Sequence, residues 1–191
     1  SHGGLQIRLL NIKSYFEHKQ DWKADNTLQN VDVFRFVERF LKQNQQVASI
    51  LPGLEYTAVG VTISSTKINI ITIYRSPSAQ VAPFLISLHH FIRSLPRNHL
   101  TIVFGDFNVD LLDSPNHETL TTMNQFVFDQ LIQKPTTVYG SLLDQVYVNQ
   151  DRRPQVTVTD SYFSNHDVVC VSLTFLLFLF SCMVKLACCC H

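Results

Sequence analysis

Apolar positions along the chain recur with two different periods, and the switches between them mark out the elements. Leu5 to Ile12 is a short run rich in Leu and Ile that ends at polar residues, which predicts a strand. Ser14 to Asn30 is polar with scattered aromatics (Tyr15, Phe16, Trp22) and fits a surface helix or a loop. Val31 to Leu41 fits both periods: Val33, Phe36, Val37, Phe40 and Leu41 share a helical face, while Val31 to Val37 also suits a fully buried strand. Glu55 to Ser64 and Lys67 to Arg75 are β-branched runs separated by Ser65-Thr66, the pattern of a hairpin, and Pro77 breaks the second run. Val81, Phe84, Leu88, Phe91 and Leu95 then follow helical spacing up to Pro96, with His89 and His90 near the polar side as surface residues.

The next element is a continuous apolar run, Leu100 to Phe104, the mark of a strand buried on both faces. It runs directly into Gly105-Asp106-Phe107-Asn108. Ser114 and Pro115 suit an N-cap and first helical position, and Leu120, Met123, Val127 and Leu131 predict an amphipathic helix that stops before Pro135. Further strands are predicted at Leu142 to Val148, Val156 to Thr159 and from Val168 onward. Strands outnumber helices, and the helices sit between groups of strands. The pattern is that of one α/β domain with a substantial antiparallel component, without internal repeats or linkers.

Composition changes this picture little. The 191 residues are 46% hydrophobic and 16% charged with zero net charge, so the bulk charge offers no electrostatic argument for a nucleic-acid partner. Of the five cysteines, only Cys170 lies in the body of the chain; Cys182, Cys188, Cys189 and Cys190 crowd the end, which suits a reduced, intracellular setting better than a disulfide framework. The Cys-Cys-Cys-His ending lacks the spacers that let paired thiolates converge on zinc. No secretory signal pattern opens the sequence. Val168 to Val184 is almost wholly apolar but short for a bilayer span, and it reads as a last core strand running into a hydrophobic tail rather than as a membrane anchor.

Three clusters carry candidate chemistry. A buried strand ending in Gly-Asp-Phe-Asn projects Asp106 and Asn108, two apart, from one sheet edge; strict alternation would set both on one face with Phe107 turned to the core. Such a pair can grip a hard cation and a phosphate oxygen together, although a plain polar turn accounts for the same residues. Ser164-Asn165-His166-Asp167 places a histidine, a candidate acid or base, after a segment containing Tyr162 that also reads as extended. Asp144 interrupts an otherwise apolar strand, and a buried carboxylate needs a partner that an imidazole would supply.

Taken in order, Asn11, Glu38, Ile73-Tyr74-Arg75-Ser76-Pro77, Gly-Asp-Phe-Asn, Leu-Asp-Gln-Val-Tyr-Val and Ser-Asn-His-Asp resemble the endonuclease/exonuclease/phosphatase family, and most of all the endonuclease domains of mobile elements, both non-LTR retrotransposons and some Helitrons. The resemblance spans residues 1–173 and leaves 174–191 as an atypical hydrophobic, Cys-rich tail. It implies a two-sheet α/β sandwich, shortened in the middle, with an active site at one end of the sheets. It implies a metal-dependent phosphodiesterase that nicks DNA, using Mg2+ or Mn2+, monomeric and acting in the nucleus. Glu38 would bind the cation, with Asn11 positioning the metal site and Asn165 beside it. Asp106 would orient the attacking water, Asn108 and Tyr74 would hold the phosphate, and His166, oriented by Asp144, would stabilise or protonate phosphate oxygens.

The sequence departs from the family where Ser-Asp-His is expected, since Asn165 removes a carboxylate. The segment between Glu38 and Tyr74 is also short, and the surroundings of Glu38 differ enough that a solvated helical glutamate is an alternative. These departures keep two other readings open: an inactive remnant of such a domain, and a phosphoesterase acting on small or lipid phosphates in the same fold.

Overall fold

The computed structural model describes residues 4–12, 33–38, 51–63, 65–149, 153–162 and 164–174, with side chains described from residue 51 onward. Its strands form two sheets. The first contains β1 (Gly4–Ile12), β2 (Val33–Glu38), β8 (Gln155–Thr159) and β9 (Val168–Thr174) in the order β2-β1-β9-β8. The second contains β3 (Glu55–Ile63), β4 (Thr66–Tyr74), β5 (Leu100–Asp106), β6 (Asp129–Gln130) and β7 (Asp144–Val148) in the order β3-β4-β5-β7-β6. β4 and β5 run parallel, joined by helix α1 (Val81–Ser94), while β3 with β4 and β5 with β7 are antiparallel. The predicted α/β architecture is therefore present as a two-sheet sandwich.

Parity along the inner strands explains why two layers form. Ile68, Ile70, Leu100, Ile102, Phe104, Val146 and Val148 are all buried on the face turned to the first sheet, where Val169, Val171 and Leu173 of β9 meet them. Intervening positions Ile71, Ile73, Val103 and Tyr147 face the other way, against Phe84, Leu88 and Phe91 of α1. Each strand therefore loses both faces to apolar neighbours, and each buried Val, Ile or Leu contributes on the order of 1.5–3 kcal/mol. This double burial is why β5 reads as an uninterrupted apolar run. The same parity puts Tyr74, Asp106 and Asp144 on the inter-sheet face of β4, β5 and β7.

One open alternative is settled and two local expectations are corrected. The ambiguous Val31 to Leu41 stretch contains a strand, Val33–Glu38, paired in parallel with β1, so Glu38 is a strand-end residue and not a helical one. The helix expected from Ser114 to Leu131 shrinks to α2 (Glu118–Asn124), because the His117 imidazole, and not Ser114, accepts the N–H of Thr119 at its start. It ends early because Val127 turns at φ 63° to bury Phe128 and bring Asp129 opposite Val148, leaving Val127 exposed. Tyr162 lies outside any strand and is exposed. The Ser14 to Asn30 segment and the tail beyond Thr174 lie outside the described residues. No helix among the described residues is long and apolar enough to cross a membrane.

Gly105 stands where β4 and β5 approach closely. A Cβ there would lie 1.8 Å from the Ile73 carbonyl oxygen, inside the backbone of the neighbouring strand. Gly105→Ala should therefore force β4 and β5 apart immediately before Asp106. The expected loss is about 4 kcal/mol or more, read by denaturant unfolding; a variant within about 1 kcal/mol of the parent would contradict this packing.

Candidate active site

Tyr74, Asp106 and Asp144 are direct neighbours across β4, β5 and β7, with Tyr74 opposite Asp106 and Asp106 opposite Asp144. They are 5%, 2% and 1% exposed, so two carboxylates lie side by side nearly closed off from water. His166 reaches this row from the loop that precedes β9, its Nδ1 lying 2.7 Å from Asp144 Oδ2. That contact links β7 of the second sheet to the loop leading into β9 of the first. Asp144 Oδ1 is buried without a hydrogen-bond partner.

Thr136 organises the junction. Its hydroxyl oxygen accepts the N–H groups of both Leu143 and Asp144, and its carbonyl accepts the N–H of Asp167. Thr137 forms a β-bridge with His166, and the Val138 N–H donates to the Asn165 carbonyl. The loop around Thr136 thereby holds the carboxylate and the imidazole in one frame. Asn165 itself is exposed.

Beyond Asp106 the chain does not continue as a strand, which corrects the expectation that alternation alone aligns Asp106 with Asn108. Asn108 adopts φ 48°, and its N–H turns back to Asp106 Oδ1 at 2.9 Å. Its side-chain amide donates to the Arg75 carbonyl at 2.7 Å. Phe107 does turn to the core, edge-on to Phe84 and Tyr147. The polar-turn reading and the paired Asp–Asn reading thus describe the same residues: a tight turn brings them together.

Several supports had no role that the motifs disclosed, even where the residues stood inside them. The buried Arg75 donates to the carbonyls of Phe107, Asn108, Ala79 and Ser76. Asp110 Oδ1 accepts the N–H groups of Leu142 and Leu112. Gln145 donates to the Val109 carbonyl and accepts from the Tyr147 hydroxyl. Their partners are mainly backbone atoms, which leave no trace in residue types; the one available signal for Arg75 was a cation directly after a buried strand.

Asn11 and Glu38 stand near the ends of the parallel strands β1 and β2, where Asn11 pairs with Val37 and Ile12 with Glu38. Leu9 pairs with Val169, so these ends lie beside the His166 loop. Their side chains lie outside the described residues. Among the described residues no group of three or more His, Cys, Asp or Glu side chains is arranged to hold a metal ion. The donors present are nevertheless of the right kind for Mg2+ or Mn2+: carboxylate oxygens, one of them the unpartnered Oδ1 of Asp144. A cleft of about 550 Å3 between α1 and the Ser114–Glu118 loop includes none of the predicted site residues.

Two carboxyls near the site are shifted in opposite directions. Burial, together with the nearby charges of Asp160 and Asp144, raises Asp167, against the Ser161 N–H and His166. For Asp110, burial alone would raise the carboxyl, but hydrogen bonds from Leu142, Leu112, Ser141 and Asp113 outweigh it and hold it below its ordinary value. A folded pKa below the unfolded one stabilises the protein above the ordinary carboxylate range, and that contribution is lost as pH falls through the folded value. Asp110→Asn should therefore lower stability at pH 7 by under about 1 kcal/mol, given solvent screening. Thermal unfolding against pH should show the gap closing in acid, and a gap that widens instead would contradict the assignment.

Against proteins of known structure, the chain aligns over 90% of its length and 98% of the other chain with the endonuclease domain of TRAS1, a telomere-specific non-LTR retrotransposon, at TM-score 0.70 and 14% identity. It aligns with D. rerio TDP2 complexed with a single-stranded DNA product at TM-score 0.61 and 12% identity, covering 89% and 98% of the two chains. With the 3′ phosphatase NExo from Neisseria bound to a product DNA hairpin, the TM-score is 0.56 at 14% identity, covering 87% and 98%. No family model matches the sequence, and no curated protein does. The resemblance first carried by the motifs is thus present in the architecture: the chain has the endonuclease/exonuclease/phosphatase fold.

Proposed function

We propose that this chain is a divalent-cation-dependent phosphodiesterase that nicks DNA, derived from a mobile element. The observation that carries the reading is the 2.7 Å contact between His166 and Asp144, made beside Asp106 at the shared end of the two sheets. Structural likeness to a retrotransposon endonuclease domain, and to two proteins bound to DNA products, supports DNA as the substrate.

In this reading the Asp106 carboxylate orients and activates the attacking water. Asn108 and Tyr74 hold the scissile phosphate. Asp144 accepts from His166 Nδ1, fixing the tautomer so that Nε2 meets the phosphate and stabilises or protonates its oxygens. Glu38 would hold the cation, with Asn11 and Asn165 next to it. When bound, Mg2+ or Mn2+ supplies charge neutralisation at the phosphate. We assign residues 1–173 to the domain, 174–191 to a dispensable tail, a monomer as the working form and the nucleus as its site of action.

A second reading, an inactive remnant, is favoured by one specific residue. Asn165 can offer a carbonyl oxygen but no negative charge, so cation and imidazolium lose a favourable neighbour. Plasmid relaxation should separate the two. Mg2+-dependent nicking should vanish in Asp106→Ala and rise by up to about fivefold in Asn165→Asp, because an exposed charge interaction is worth about 1 kcal/mol or less. Nicking that survives excess chelator, or that Asp106→Ala leaves intact, would overturn the nuclease reading. Cleavage of small phosphate esters without plasmid nicking would move the assignment to a phosphoesterase.

A further inference from the structure

Arg75 touches every peptide unit that carries the Asp106–Asn108 turn. Its backbone N–H donates to the Asp106 carbonyl at 3.0 Å, its Nε to the Phe107 carbonyl at 2.7 Å and its Nη2 to the Asn108 carbonyl at 2.5 Å. Three successive carbonyls therefore end on one residue. Asn108 closes the loop by donating from its side chain to the Arg75 carbonyl at 2.7 Å. Nη1 reaches 2.6 Å from the Ala79 carbonyl, tying the turn to the start of α1, and the guanidinium carbon lies 5.9 Å from the Phe84 ring centroid. The residue is 5% exposed.

This arrangement matters because Asn108 sits at φ 48°, a left-handed conformation that costs a non-glycine residue energy unless its surroundings hold it there. Only a planar fork with donors on three nitrogens meets carbonyls in these directions at once; an ammonium group cannot. Asp106 also lies within electrostatic reach of the guanidinium, so a fixed positive charge stands beside the carboxylate.

We infer that Arg75 is the positioning residue of this site: it sets the Asp106 carboxylate and the Asn108 amide relative to each other without itself contacting substrate. The inference rests on the nuclease reading for its catalytic consequence, but its structural half stands independently of that reading.

The test uses the full chain with Arg75→Lys and Arg75→Ala, the latter with and without guanidinium ion at sub-denaturing concentration, also present during refolding. The Asn108 side-chain amide, followed by 15N NMR, should lose its exchange protection in both variants and regain it in Arg75→Ala when guanidinium is added. Nicking should show kcat reduced about a hundredfold with KM within about twofold, as for a catalytic group held slightly out of place. Arg75→Lys that folds with an unchanged Asn108 amide would overturn the proposal. So would variants that fail to fold even with guanidinium, since Arg75 would then be holding the core. A wild-type protein that does not nick DNA would count against the nuclease reading alone, because the amide measurement still decides the role of Arg75.

Discussion

Asp144 opens a strand in which every residue is buried, and a carboxylate in that setting costs several kcal/mol unless it is paired. Its partner is His166, on the loop that leads into β9 of the other sheet. Meeting that requirement therefore also fixes how the sheets align at one end: the His166 loop must close over β7, and Thr136 must hold the intervening backbone so that both side chains stay in reach. The apolar layer between the sheets supplies most of the burial, and the His166–Asp144 contact adds a directional constraint at this end.

From that constraint the remaining chemistry follows by adjacency. Asp106 is the cross-strand neighbour of Asp144, and Tyr74 is the neighbour of Asp106. Gly105 lets the strands approach closely enough for this row to form. Asp144 is hydrogen-bonded to an imidazole, while Asp106 accepts the Asn108 N–H that closes the turn after β5. Two carboxylates so close favour a cation between them, which is the electrostatic reason why an oxygen-rich row of this kind suits metal-assisted phosphate chemistry.

Much of this was legible in the sequence, and the reasons are specific. β5 announced itself because a strand buried on both faces must be apolar throughout, so that Gly105-Asp106-Phe107-Asn108 stands out at its end. Asp144 could be read as needing a partner because a charge breaks an apolar strand. Val33–Glu38 could not be settled locally, since a short apolar run satisfies both periods and only pairing with β1 decides. The helix after Ser114 was misplaced because Val127 and Leu131 continue a helical period that the chain abandons to bury Phe128. The left-handed turn at Asn108 and the grip of Arg75 were hidden for a different reason: both are made with backbone carbonyls, which every residue possesses.

The account stands or falls on water attacking phosphorus at this site. Nicking of a short DNA duplex in 18O-labelled water, followed by mass spectrometry of the fragments, measures that directly. One labelled oxygen should appear on the phosphate-bearing fragment of the wild-type reaction with Mg2+ and none in the absence of protein. Cleavage without label on phosphate, or an intact duplex under conditions in which the protein is folded and the cation bound, would contradict it.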